Sequence, residues 1–170
     1  LKGVKARSLL LAAEAARLEG EYEKAIRILE NAYAMYPGMP SVLNNLVYNL
    51  VRSGDDPRNI ARAKELLPKL IQAGGKSALM LDTVAMVYMK TGDLAQAKKY
   101  SEKARELINK NEYAAMEVDF NAAELLLRLG EVNAAKEMLE KIERAPDKSS
   151  FVDVGTQQLL KRIEEEIGRK

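Results

Sequence analysis

The sequence predicts an all-α solenoid made of four helix pairs and a C-terminal capping helix. Two series of small residues predict this fold, because both recur at nearly regular intervals along the chain. Glycines recur at the expected turn inside each pair, at Gly20, Gly54, Gly92 and Gly130. Alanines recur early in each second helix, at Ala25, Ala63, Ala97 and Ala135. Both series follow a period of about 34 residues, twice lengthened by a four-residue insertion, which is typical of helical repeat arrays.

The segment 81–107 shows the repeating unit most clearly. It is predicted to form two amphipathic helices joined by a turn at Thr91-Gly92-Asp93. The turn needs glycine because a residue that ends a helix often takes a positive φ. The alanine has a different purpose, since a small residue where two helices cross lets their axes approach closely.

The composition excludes most catalytic chemistry. Among 170 residues there is neither cysteine nor histidine, so disulfides, thiolates and most general-base and zinc sites are excluded. We therefore expect no enzyme activity, no metal and no cofactor. The net charge of +2 gives little support for nucleic-acid binding. Aromatic residues make up only 5%, so the core must be aliphatic.

No segment is typical of a membrane span or a secretory signal. The longest uncharged stretch, 31–51, contains two prolines, a glycine and three asparagines, which do not suit a bilayer. The chain begins at Leu1 without methionine, so we expect a piece of a longer protein. We expect a soluble protein of the cytoplasm or periplasm.

In the first two pairs, prolines, a glycine and capping residues mark where the predicted helices begin and end. Helices are expected at about 6–18, 22–34 and 41–52, with Pro40 in the first turn of the third. Residues 8–16 are apolar on more than one face, which suits either a covering element upstream or a tolerated exposed end. A four-residue insertion follows Gly54, where Asp55 or Asp56 can cap the next helix. Pro68 predicts a kink or an early change of direction in that helix.

The later elements follow the same plan. The third pair spans about 77–109, with Ser77 and Asp93 as caps, and the fourth has helices at about 112–129 and 132–144. Pro146 is expected to stop the fourth pair, and 147–150 to be a linker. The last helix, 151–168, is amphipathic and predicts a cap over the open end of the array rather than a partner-binding tail. Its apolar residues are Phe151, Val154, Leu159, Ile163 and Ile167.

These features resemble the tetratricopeptide repeat (TPR) family, whose units of about 34 residues carry a turn glycine, small residues and often a terminal proline. The first unit has Gly20, Tyr22, Ala25, Ala32 and Pro37, and the third has Gly92, Ala97, Tyr100 and Ala104. The resemblance implies a single right-handed TPR domain over 1–170. Its repeats fall at about 6–39, 40–75, 76–111 and 112–146, and its capping helix at about 150–168.

The resemblance also implies a concave groove lined by the inward faces of the first helices. Asparagine can donate to and accept from an extended backbone, and methionine adapts to varied side chains. The groove candidates are Asn44, Asn45, Tyr48, Arg52, Asp82, Thr83, Met86, Lys90, Phe120, Asn121, Glu124 and Arg128, with Leu10, Glu14 and Arg17 in the first repeat.

Two groups of these candidates have alternative explanations. Asn45, Thr83 and Asn121 occupy equivalent places and could instead pair with neighbouring helices. The four cations end the first helices, where the helix dipole favours a positive charge. These cations are Arg17, Arg52, Lys90 and Arg128.

The predicted function is a non-catalytic scaffold that binds a protein or peptide partner in this groove. One TPR subfamily clamps a terminal carboxylate with five residues, but only Asn45 matches that pattern here. The stretches VLNNLVYNLVRSGD and LDTVAMVYMKTGD resemble paired repeats of long bacterial TPR proteins and suggest a bacterial source. One alternative is self-assembly through the N-terminal helix. A less favoured one is RNA binding of the pentatricopeptide kind.

Overall fold

A computed structural model describes residues 2–109, 113–145 and 150–167. Within these ranges the chain forms nine α-helices and no strand. The helices are α1 (Lys2–Leu18), α2 (Tyr22–Met35), α3 (Pro40–Arg52), α4 (Pro57–Gly74), α5 (Ala78–Thr91), α6 (Leu94–Leu107), α7 (Tyr113–Arg128), α8 (Val132–Glu143) and α9 (Ser150–Ile167). The all-α prediction is confirmed.

One helix begins earlier than predicted, since α1 begins at Lys2, four residues before the predicted start. Pro68 lies inside α4, which continues to Gly74, and the kink predicted at this proline stays a prediction. The predicted stop at Pro146 and most of the linker lie outside the described residues. The side chains of Phe151, Val154 and Ile167 lie outside them too.

The turns inside the four pairs have the predicted backbone. All four turn glycines have positive φ, between 77° and 117°. Two of the helices that follow these turns, α4 and α6, begin with a side-chain N-cap. The Asp56 carboxylate accepts from the Arg58 backbone N–H at 2.9 Å, and the Asp93 carboxylate accepts from that of Gln96 at 3.1 Å. These caps satisfy backbone donors that have no partner within the helix.

The helices pack in two layers. The odd-numbered helices contact one another in series, from α1 to α9, and each even-numbered helix packs between the odd helices before and after it. A large hydrophobic cluster joins α1 to α5, and a second joins α7, α8 and α9. The odd-numbered helices therefore form one continuous inner layer, which corresponds to the groove-lining helices of the prediction.

The recurring alanines reflect close packing between helices. The alanines early in α2, α4, α6 and α8 are all fully buried. Replacing Ala97 with leucine is expected to overpack the α5–α6 crossing and to lower the free energy of unfolding by about 1–3 kcal/mol. Urea unfolding of the variant would test this. The exposed Ala95 on the same helix is the matched control, and equal effects at both positions would contradict the packing argument.

Candidate binding cleft on the inner helix layer

A cleft of about 260 Å³ opens on the inner layer between α1, α3, α5 and α7. Seven of the groove candidates line it. These are Glu14 and Arg17 from α1, Asn44, Asn45 and Tyr48 from α3, and Asp82 and Thr83 from α5. The remaining wall comes from Leu79 of α5 and from Glu117 and Val118 of α7. Four helices from four successive pairs thus contribute to one site.

Ionic and aromatic contacts shape the α1 side of the cleft. The Arg17 guanidinium donates two hydrogen bonds to the Glu14 carboxylate, at 2.7 and 2.8 Å. It also lies 5.7 Å from the centre of the Tyr48 ring, within cation–π range. The Tyr48 hydroxyl donates to the Glu117 carboxylate, and burial raises the pKa of that phenol above its usual range. Tyr48 is therefore held between α1 and α7.

Arg52 connects α3 to α7 in the inner layer. Its guanidinium donates to the Glu124 carboxylate at 3.0 Å and to the Asn121 side-chain oxygen. The same group lies 5.9 Å from the centre of the Tyr48 ring and 5.6 Å from that of Phe120. Its side chain is only 11% exposed. Because α3 and α7 belong to pairs separated by a whole pair, these contacts hold the two sides of the inner layer together.

Asp82 is the buried carboxyl of the cleft. It is only 4% exposed, and its Oδ2 atom accepts a hydrogen bond from the Asn121 amide at 2.7 Å. Its Oδ1 atom has no hydrogen-bond partner among the described residues. Burial raises the pKa of Asp82 to about 7, although the Asn121 bond and Arg52 act in the opposite direction. The direction of this shift is expected for a buried carboxyl, because ionisation in a low-dielectric site is unfavourable.

The other candidates lie outside the cleft. Met86, Phe120 and Asn121 are buried, so they offer no accessible surface in this structure. Phe120 instead packs into the α7–α9 core, where a Cβ on Gly155 would come within 2.6 Å of its ring. The ring of Phe120 therefore does not face the groove as predicted, because α9 covers it. Lys90, Glu124 and Arg128 lie farther along the layer.

Of the three asparagine and threonine candidates at equivalent places, one pairs with neighbouring helices and two do not. Asn121 pairs with the neighbouring helices through Asp82 and Arg52, as the alternative proposed. Asn45 and Thr83 instead bond to carbonyl groups one turn earlier in their own helices, at 2.8 and 2.9 Å.

The cations that end the first helices mostly have carboxylate partners. Arg17 and Arg52 pair with glutamates, and the Lys90 ammonium lies 2.6 Å from the Asp55 carboxylate. Arg128, by contrast, is exposed. The helix dipole alone therefore does not explain why Arg17, Arg52 and Lys90 stand at the ends of their helices, because each also pairs with a carboxylate.

Sequence reasoning missed Glu117 as a residue of the site. Glu117 follows Leu79 at the same interval that separates Gly92 from Gly130, which is the repeat spacing between the third and fourth units. Both Leu79 and Glu117 line the cleft. Extending the groove series one turn toward the start of α7 would have found it.

Two kinds of feature are absent from the described residues. The part of the chain that the structure describes contains no group of three or more potential metal ligands. In the described helices, no segment has the length and hydropathy to cross a membrane.

Comparison with known proteins agrees with this architecture. A profile described as the tetratricopeptide repeat protein 21 ARM repeat matches residues 5–158. TPR-like repeats from Podospora anserina, of a protein classed with the kinesin light chains, superpose with a TM-score of 0.65 at 16% identity. They cover 98% of this chain and 88% of that one. No curated protein matches the sequence.

Two further structures share the fold at low identity. TTC0263, a TPR protein of Thermus thermophilus, gives a TM-score of 0.54 at 17% identity, covering 91% of this chain and 98% of its own. A MamA variant gives 0.55 at 17% identity, covering 99% and 91%. Such identities show the fold alone, whereas the profile match spans most of the sequence. The chain therefore belongs to the tetratricopeptide repeat family, through the ARM repeat described for tetratricopeptide repeat protein 21.

Proposed function

We propose that this protein is a non-catalytic scaffold that binds a peptide segment of a protein partner in the inner-layer cleft. The observation that carries this proposal is the cleft itself, which combines asparagine side chains, charged groups and apolar surface from four helices. TPR folds generally act as protein-interaction scaffolds, and the cleft lies on the face that the groove prediction named. None of the residues that line the cleft is a histidine, cysteine or serine, so the usual nucleophile-and-base pairs of acyl transfer are not among them.

The size of the cleft favours a peptide over a small molecule. Sites for drug-sized ligands usually measure about 300–1,000 Å³ and bury most of the ligand. At about 260 Å³ and open to solvent, this cleft suits one anchoring side chain of a longer segment. The exposed Leu79 lies at its rim and offers apolar contact beside that anchor.

Filling the cleft tests the proposal. Asn45→Trp is expected to abolish binding of peptides selected from a displayed library of random sequences, because the indole would occupy the space. The side-chain amide of Asn45 donates within its own helix, to the Ser41 carbonyl at 2.8 Å, so the replacement breaks no side-chain hydrogen bond between the described helices. Glu102→Trp, on the exposed face of α6, is the matched control.

Affinities of the selected peptides would be measured by fluorescence anisotropy, and circular dichroism would check that both variants remain helical. Peptides that bind the wild type and both variants equally would show that the cleft is not the binding site.

A second function, self-association through α1, is favoured by one specific observation. Val4, Leu11 and Leu18 are 71%, 64% and 65% exposed, and their seven-residue spacing places them on one face of α1. Leu9 and Leu10, which belong to the apolar segment 8–16, are instead partly buried against the core and do not belong to this stripe. An exposed apolar stripe on a terminal helix can pair with the same stripe of a second copy.

Leu11→Glu is expected to abolish any self-association, because it places a charge at the centre of the stripe. Sedimentation equilibrium over a wide concentration range would measure it. Lys5→Glu, at an exposed position of the same helix, controls for the change of charge alone. A wild-type protein that stays monomeric at the highest concentration would exclude this second function.

A further inference from the structure

We infer that the cleft selects a positively charged side chain, the ammonium of a lysine or the guanidinium of an arginine, as the anchor of its peptide. This inference rests on the proposed function and adds the chemistry of the ligand. Three observations on the cleft support it. The lining carries an excess of negative charge, two buried acceptors lack a donor, and the lining cation Arg17 already donates to Glu14.

The charge balance of the site is negative. Among the residues that the structure describes, carboxylates from three helices line the cleft, Glu14, Asp82 and Glu117, and they face one lining cation, Arg17. Including the adjacent Arg52–Glu124 pair does not change the excess, since that pair adds one charge of each sign. Partly buried walls strengthen the field of such an excess, because water screens it less than at an open surface.

Two buried acceptors in the cleft lack a donor. Oδ1 of Asp82 and Oδ1 of Asn44 are both inaccessible to solvent and have no hydrogen bond in the described part of the chain. Buried acceptors are normally satisfied, and leaving one unpaired is unfavourable. Asp82 is the stronger indication, because its carboxylate can only accept while it is ionised. A donor that displaces the side chains over Asp82 would satisfy this acceptor, and an ammonium has three donors.

Anionic and neutral anchors fit this site less well. Arg17 is the lining cation that an anion would use, but its guanidinium already donates twice to Glu14. An anion would also face Asp82 and Glu117. A neutral amide could satisfy one acceptor but would leave the negative charge uncompensated. A cation supplies both the donors and the missing charge.

The inference also predicts how binding depends on pH. A bound cation favours the ionised form of Asp82, whose pKa burial holds at about 7, so binding should release a proton there. The other charged groups that face Asp82 are Arg52 from α3 and Glu117 and Glu124 from α7. Affinity for a cationic anchor should therefore rise as the pH increases through 7, whereas affinity for a neutral anchor should not.

Two kinds of probe test this inference on the whole chain. The first is a peptide chosen by display, with its anchor position synthesised as lysine, arginine, norleucine or glutamate. The second is n-butylammonium chloride, compared with sodium butyrate and sodium chloride at equal ionic strength, with binding followed by NMR at the side-chain amide of Asn44. We expect the lysine and arginine peptides to bind at least about tenfold more tightly than the norleucine peptide, because their contact with the cleft is charge-assisted.

Variants connect this preference to the cleft. Asp82→Asn keeps the shape and the acceptor for Asn121 but removes the charge, so the preference for lysine over norleucine should lose most of its size. Glu117→Gln should weaken lysine binding without affecting the norleucine peptide. Glu102→Gln removes a charge from the exposed face of α6 and should leave the preference unchanged.

The outcomes separate the two proposals. If lysine and norleucine peptides bind equally and Asn45→Trp blocks both, the peptide groove stands and the cationic anchor is overturned. If peptides fail but butylammonium shifts the Asn44 amide and butyrate does not, the cation site stands without the peptide groove. If the glutamate peptide binds best, or if no probe binds, the inference is rejected.

Discussion

Replacing Arg52 with alanine is expected to lower the free energy of unfolding by about 3–5 kcal/mol, the range for removing one partner of a buried ion pair. The Arg52 guanidinium bonds to Glu124 and Asn121 and lies over the rings of Tyr48 and Phe120. Without it, the Glu124 carboxylate would lose its cation, and the Asn121 side-chain oxygen would lose its donor. The space left among the two rings would cost further packing energy.

Urea unfolding followed by circular dichroism would measure this loss. Arg128→Ala is the matched control, because Arg128 ends α7 as Arg52 ends α3 but is exposed. The control should change the free energy of unfolding by no more than about 0.5 kcal/mol, as surface substitutions usually do. Equal losses in the two variants would show that both arginines act mainly through the helix dipole.

Asp82 is expected to make the stability depend on pH between about 4 and 7, the upper part of which is the range of histidine, a residue that this chain lacks. Its pKa is about 7 in the folded protein, against an ordinary value of 3.8. The folded state therefore binds this proton more tightly than the unfolded chain. The contribution of Asp82 to stability should be greatest below about pH 4, fall as the pH rises toward 7, and stay low above that. A rise in pKa from 3.8 to about 7 corresponds to about 4 kcal/mol.

Asp82→Asn should remove this dependence, since its amide does not titrate. The comparison is the free energy of unfolding of wild type and variant, measured by urea unfolding from pH 4.5 to pH 8. Asp119→Asn, at a half-exposed aspartate of α7 outside the cleft, is the control and should keep the wild-type slope. Glu14 acts in the opposite direction at lower pH, because hydrogen bonds from Arg17 lower its pKa below the ordinary value of 4.5. Parallel curves for wild type and Asp82→Asn would show that Asp82 does not bind its proton as the buried geometry requires.

The proposed binding face also supports the fold. Arg52 and Asp82 both lie in the polar contacts that join α3, α5 and α7, and Asp82 reaches the cleft as well. A ligand that binds at Asp82 would therefore act on a group that connects helices from different pairs. This arrangement would couple the occupancy of the cleft to the stability of the inner layer.

The sequence alone determined the repeating architecture. The spacing of turn glycines and small alanines located the helix pairs, because both depend on contacts within one repeat. The caps at Asp56 and Asp93 and the positive φ of the glycines follow from the same local rules. Pro68 lies inside α4, as its place in the pattern predicts, and the kink expected there stays a prediction.

The tertiary structure alone decided which polar residues meet. Tyr48 and Glu117 are 69 residues apart, as are Arg52 and Asn121, and no local pattern pairs them. Such contacts depend on the small rotation between each repeat and the next. Summed over several repeats, these rotations decide whether side chains of α3 and α7 lie close enough to bond. The same holds for Phe120, whose ring lies against α9 because Gly155 leaves space for it. Sequence periodicity predicts which face of each helix points inward, whereas only the assembled curvature decides which inward side chains bury one another and which remain open to a partner.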